Sequence, residues 1–341
     1  MRRVAFLVAV IALVTACGDD GVYDPSLYVT VDDYAAAYKD AECTYLARCG
    51  FFSDKATCLT AQLFTYLELD RDLVGAIKAG RVYYNGNAVK ACFDAIAANT
   101  CDKTDEAGRV QPDTCRGFTR GTVAGGGSCT ISSECISGDC RIQVADQMCA
   151  MGICMGDMPP STDLPANGQS CSTVTGCTRG SFCDTATLIC TTLRSAGDQC
   201  IQNSDCDYGL GCAGSPRTCQ ILPGPNEPCP AGACRDDGYW CDVGTCHPIG
   251  LVGGGCMTYE ACSPYFPCDF ATSMCHKPPS IGDGCTSPNT RCFEANSYCD
   301  GAMLKCVAAK PDGQSCTTSA QCLSVDCDPA TSTCITETCF P

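Results

Sequence analysis

The chain has 341 residues, of which 37 are cysteine and only two are histidine. Setting the cysteines aside lowers the apolar share from 45% to about 34%, thin for one large oily core, and cysteine this dense belongs outside the reducing cytosol. The formal net charge of −16 argues against nucleic acid, which selects clustered Lys and Arg.

Arg2 and Arg3 precede an apolar run, Val4 to Val14, of 11 residues. That is short of the roughly 20 needed to cross a bilayer as a helix, and it reads as a secretion signal. Val14-Thr15-Ala16-Cys17 resembles the bacterial lipoprotein box. The resemblance implies cleavage after residue 16 and lipidation of Cys17 by acyl chains such as palmitate. Gly18, where an aspartate would retain the protein at the inner membrane, implies sorting to the outer membrane. Three acyl chains would make a near-permanent anchor. Residues 17–29 then form a polar tether that spans at most about 40 Å. Without Cys17, 36 cysteines remain, an even number that suits full pairing.

Residues 30–120 read as an α-helical domain. Thr30 followed by Val31-Asp32-Asp33 looks like a helix start, and Val31, Tyr34, Tyr38, Ala41 and Tyr45 recur at helical spacing. Ser53-Asp54 opens a second helix that carries Leu59, Leu63, Phe64 and Leu67. Asp72 to Ala79 is a third, stopped by Gly80. Asn85 or Asn87 caps a fourth, with Val89, Cys92, Phe93 and Ile96 inside. Cys43, Cys49, Cys58, Cys92, Cys101 and Cys115 would staple this bundle. Six cysteines allow fifteen pairings; we expect Cys43–Cys92 to tie two helices together. Tyrosines 34, 38, 45, 83 and 84 serve core packing, with a binding groove as the alternative.

From residue 125 to 341 the chain repeats itself seven times, with units starting near 126, 168, 197, 226, 253, 282 and 313. Their four-cysteine sets include Cys171-Cys177-Cys183-Cys190 and Cys200-Cys206-Cys212-Cys219. The first set reads as 129-135-140-149 and the last as 316-322-327-334, each followed by an extra cysteine, Cys154 and Cys339. From Cys190 to Cys316, nine residues always separate one unit from the next, which predicts a fixed relation between neighbours. Three residues before each first cysteine stand six glycines and Asn226, which predicts a left-handed turn at every entry. Modules this small need covalent help, and two disulfides at about 3 kcal/mol each supply it. Phe182, Trp240 and Tyr298 precede third cysteines and are expected to pack on the disulfides.

The stretch Cys200-Ile-Gln-Asn-Ser-Asp-Cys206-Asp-Tyr-Gly-Leu-Gly-Cys212 carries the strongest likeness. Together with Cys171 to Cys183, it resembles the Dickkopf N-terminal cysteine-rich type found in bacterial lipoproteins. The resemblance implies a small disulfide-rich fold: a tandem array of short stapled modules with little regular secondary structure. It implies no ligand.

Chemistry-bearing motifs are sparse. No Cys-x-x-Cys, phosphate loop or nucleophile elbow occurs. His247 and His276 read as solvent-facing linker residues rather than metal ligands, and Asp102 to Gly108 as a solvated loop rather than a calcium site. We therefore expect no enzyme, no cofactor, no metal and no nucleic-acid partner. The expected protein is a membrane-anchored lipoprotein of the bacterial outer membrane that binds a protein or surface ligand, adheres, or acts as a stalk. Seven modules in line would reach roughly 140 Å. The alternative is a protease-inhibitor or toxin-like array acting on a secreted enzyme.

Overall fold

The structure, a computed structural model, describes residues 27–63, 71–102, 115, 117–142, 150–157, 165–171, 177–178, 180–287, 290–324 and 326–335, with Arg71 described by its backbone alone. Cys17, Cys149, Cys339, Phe64, Leu67 and residues 103–108 lie outside this set, and with them the lipoprotein box and most of the acidic loop.

Four helices build the N-terminal head: α1 (Tyr34–Arg48), α2 (Lys55–Thr60), α3 (Arg71–Lys78) and α4 (Gly86–Ala98). Thr30 does not cap α1 itself. Its hydroxyl accepts the Asp33 N–H at 3.1 Å and donates to the Asp33 carboxylate at 2.6 Å, which sets a turn ahead of the helix. The expected stripe holds at Tyr34, Tyr38 and Ala41, which are buried against Val89, Cys92 and Phe93 of α4, whereas Val31 precedes the helix and Tyr45 packs on the other cluster. The Tyr34 and Phe93 rings meet edge to face, centroids 5.0 Å apart. Asp54 caps α2 by accepting the Thr57 N–H at 2.7 Å. Asn85, not Asn87, caps α4 by accepting the Ala88 N–H at 3.1 Å. Such caps satisfy amides that the first helical turn leaves without partners. The strand β1 (Val82–Tyr84), unforeseen in the sequence, pairs antiparallel with β2 (Thr119–Gly121).

The head disulfides are Cys43–Cys58, Cys49–Cys101 and Cys92–Cys115. The expected Cys43–Cys92 bond is therefore not made. Ala41 lies on the α4-facing side of α1, and Cys43 stands two positions on, about 200° round the helix, toward α2.

In all, 17 disulfides are formed among the described residues. In modules two to seven the first cysteine pairs with the third and the second with the fourth, as in Cys171–Cys183 with Cys177–Cys190 and Cys200–Cys212 with Cys206–Cys219. Module four, with gaps of four, six and four residues, keeps the rule through Cys229–Cys241 and Cys234–Cys246. The third and fourth cysteines sit opposite each other on a short antiparallel hairpin, for example Cys212 against Cys219 and Cys299 against Cys306. Module one corrects the sequence assignment. Cys129 pairs with Cys140, but Cys135 pairs with Cys154, so Cys154 takes the place of the fourth cysteine that the sequence assigned to Cys149.

The entry turn is left-handed in every module, with φ from 61° at Asn226 to 97° at Gly282. Its purpose is visible in the hydrogen bonds. The N–H of that residue donates to the carbonyl of the module's last cysteine in all seven, from Gly126 to Cys154 at 2.9 Å through to Gly313 to Cys334 at 2.7 Å. The turn thus latches the start of each module to its end.

The linkers are stitched at both sides. Leu193, Leu222, Ile249 and Ala309 each donate back to the residue three before their own third cysteine. The next linker residue then bonds to the following module beside its second cysteine: Arg194 with Asp205 and Asp207, Gly250 with Ala261 and Ser263, Lys310 with Gln321 and Leu323. Pro223 and Pro279 accept from Arg235 and Phe293 in the same way. From Cys190 to Cys316, equal linker length and these recurring bonds give neighbouring modules a fixed relation. The array is nevertheless not an in-line stalk of 140 Å. Modules four, five and six turn back and pack on α1 and α2.

Candidate interaction surface

One buried cluster joins the head to the returning modules. It holds Leu46, Phe52 and Ala61 of the head with Ala261, Tyr265, Phe266 and Phe293 of modules five and six. Phe52 is 1% exposed, and its ring lies 4.7 Å from Tyr265 and 5.4 Å from Phe266, centroid to centroid. Trp240 and Leu251 pack at the edge of this cluster. Trp240 therefore packs beyond its own module, into the cluster that the head shares with modules five and six. Phe182 instead lies half-buried under the Arg194 guanidinium, and Tyr298 is buried.

The chain makes this contact with the stretch between the second and third cysteines of each module. In module four, Asp236 bridges Asp102, the Asp237 N–H donates to the Cys101 carbonyl at 2.6 Å, and the Asp237 carboxylate accepts from the Tyr45 hydroxyl. Burial and this carboxylate raise the Tyr45 pKa. Gly238, at φ 79°, brings its backbone onto Cys49, where a Cβ would overlap the Cys49 carbonyl oxygen. In module six, Ala61 pairs with Glu294 and the Gln62 N–H donates to the Phe293 carbonyl at 2.8 Å. Because Ala61 adopts this extended pairing, α2 ends at Thr60, earlier than its apolar spacing suggests.

Module one docks separately, beside β1 and β2. Arg81 donates to both oxygens of Glu134, at 2.7 and 3.2 Å, and also to the Ser128 carbonyl. Glu134 is fully buried, and the Thr130 N–H satisfies it further at 2.7 Å. Although burial opposes its charge, Arg81 and Thr130 hold the carboxyl below its ordinary range. The same role recurs locally: Asp205 and Gln321, each the residue before a second cysteine, accept the N–H of Ile201 and Thr317, each the residue after a first cysteine.

The tyrosines do not line a groove. Tyr34 and Tyr38 are core, the Tyr84 hydroxyl donates to the Val29 carbonyl at 3.1 Å, and Tyr83 is exposed. Burial pushes the Tyr34 hydroxyl up to about 12. His247 and His276 are both exposed, and the His276 ring meets the Lys277 carbonyl. The sulfurs that crowd together, such as those of Cys200, Cys206 and Cys219, are all joined in disulfides. One carboxyl stands apart: an oxygen of Glu42 is buried without a hydrogen-bond partner. Desolvation, partly offset by the Tyr38 hydroxyl and Lys39, raises this group to about 7.

A signal of the docking was present in the sequence. Aromatic and acidic residues concentrate between the second and third cysteines of modules four to six, at Asp236, Asp237, Tyr239, Trp240, Tyr265, Phe266 and Phe293. A second regularity is the aspartate that follows the third cysteine in five modules, at 184, 242, 269, 300 and 328. Asp184, Asp269, Asp300 and Asp328 cap the hairpin turn by accepting an N–H two residues on, each at 2.8 to 2.9 Å. Searches against protein families, curated proteins and solved structures find no match for this chain.

Proposed function

We propose that this protein is a lipid-anchored, extracytoplasmic binding protein of the bacterial envelope, held at the outer membrane by acyl chains on Cys17. It carries out no reaction of its own; its modules present a rigid surface to a protein or surface ligand. One observation carries the reading: the same latch repeats in all seven modules, linkers of equal length join modules two to seven, and the return of the array onto the head gives a preformed display surface. A preformed surface avoids the ordering cost that weakens flexible binders. Seventeen disulfides favour an oxidising compartment. The lipoprotein box and the likeness to Dickkopf-type modules of bacterial lipoproteins belong to the same reading.

The test is fractionation of cells that express the full chain and its Cys17→Ser variant. The parent is expected in the membrane fraction and the variant in the soluble or secreted one. A variant that stays with the membrane as the parent does would overturn the anchor.

A further inference from the structure

Module five buries one side against the head and leaves the other to water. Ala261 and Tyr259 lie two apart on one 3-10 turn, with Ala261 2% exposed and Tyr259 69%. On the open side Met257 is 77% exposed, Phe270 49% and Met274 43%. These residues are neighbours. The Tyr259 and Phe270 rings meet edge to face at 4.7 Å. Met274 sits across from Asp269 and also pairs with Gly255, two residues before Met257. Other modules expose apolar side chains too, such as Ile201 in module three, Val243 in module four and Met151, Ile153 and Met155 in module one, but among the described residues the pair of exposed aromatic rings in contact belongs to module five. Single exposures are ordinary in modules with so little core, whereas a joined patch with an aromatic pair is the composition of binding hot spots. Methionines adapt their shape to a partner.

The charges at the rim are negative. Glu260 is exposed beside Tyr259, and Asp269 adjoins Phe270. Asp269 keeps its charge, since the Ala271 N–H and the Thr272 hydroxyl hold its carboxyl below the usual range. The cation close by, Lys277, is drawn to the other side, its ammonium 4.0 Å from the centre of the Phe293 ring. His276 shares the region and turns a ring nitrogen to the Lys277 carbonyl.

We propose that this face of module five, formed by Met257, Tyr259, Phe270 and Met274 with Glu260 and Asp269 at its rim, docks a cationic amphipathic segment of a partner protein. The apolar side of that segment covers the rings and thioethers, and its Lys or Arg residues meet the two carboxylates. The chain's net charge of −16 draws such a partner in from a distance. The proposal rests on the binding reading above and gives it a site and a partner chemistry.

The experiment uses the chain from Gly18 onward and two labelled 18-residue helical peptides, one of Lys and Leu and one of Glu and Leu, read by fluorescence anisotropy at physiological salt. The Lys/Leu peptide is expected to bind and the Glu/Leu peptide not to. A Met257→Ser/Tyr259→Ser variant is expected to weaken binding about tenfold or more, as for an interface hot spot, and Glu260→Lys to weaken it less. Both variants change exposed positions, and a non-reducing peptide map that keeps Cys256–Cys268 and Cys262–Cys275 shows that module five has its native pairing. No binding by the wild type, equal binding of the two peptides, or equal binding by the double variant would each overturn the proposal. So would a wild-type dimer that the double variant dissolves, since the face would then belong to a second copy. Binding that survives the double variant removes this site and leaves the general binding reading standing; failure of the Cys17→Ser test removes the anchor and leaves this site.

Discussion

The head and the array reach order by different routes. In the head, Tyr34, Tyr38, Phe93 and Phe118 form an interior of side chains, and three disulfides fasten a bundle that already has a core. In module three the interior is four cysteines with Leu210 leaning on them. Crosslinks do there what apolar burial does in the head, by limiting the unfolded chain. The exception is instructive. Modules four to six carry most of the large aromatic residues of the array, and four of them, Trp240, Tyr265, Phe266 and Phe293, join the cluster shared with the head. Bridges confined to modules therefore do not make a straight rod; a non-covalent interface sets the path of the whole chain.

Phe52→Ala breaks that joint most severely. It removes a fully buried ring between Tyr265 and Phe266 and is expected to cost about 4 kcal/mol. Limited proteolysis should then cut between the head and modules four to six while every disulfide survives. Arg81→Ala strikes the second joint. It leaves the buried Glu134 carboxylate short of its cation, at an expected cost of about 3 kcal/mol, and Glu134→Gln in the same background should recover part of it. Thermal unfolding of the single and double variants reads both effects. Replacing Cys206 and Cys219 together by alanine opens a loop of 13 residues and removes about 3 kcal/mol from module three alone. Amide exchange should accelerate in that module and not in α1 or α4. If the head loosens equally, the two regions are not independent in their source of order.

The smallest effect concerns Glu42. Its folded pKa is raised from 4.5 to about 7, so the folded state holds the proton more tightly than the unfolded chain. This carboxyl favours folding fully below its unfolded value and loses that advantage as the pH rises through about 7. Glu42→Gln should accordingly raise the melting temperature by a few degrees at pH 8, on the scale of a 1 kcal/mol effect, and leave it nearly unchanged at pH 4.

Much of this was legible in the chain itself. Helix positions followed from the spacing of Tyr34, Tyr38 and Ala41, and from caps such as Asp54, because these are local effects. The seven entry turns were legible for the same reason: few residues accept a positive φ, and glycine or asparagine stands at each. Disulfide partners were not, since pairing depends on which cysteines the fold brings together. Cys43 faces α2 because of its angle on α1, and Cys154 displaces Cys149 because its strand lies beside Cys140. The return of the array was hidden as well. Trp240 and Phe293 look like packing for their own modules until the head is placed against them. The face on module five was hidden for a related reason: hydrophobic spacing does not say which side of a 28-residue module meets water.

The central claim is that the array closes back on the head. Small-angle X-ray scattering of the chain from Gly18 onward tests it most directly. A compact chain of this length has a radius of gyration of about 20 Å, whereas seven modules in line would give about 40 Å. We expect a value below about 25 Å that grows in the Phe52→Ala variant with all disulfides intact. A wild-type value near 40 Å, unchanged by Phe52→Ala, would contradict the account.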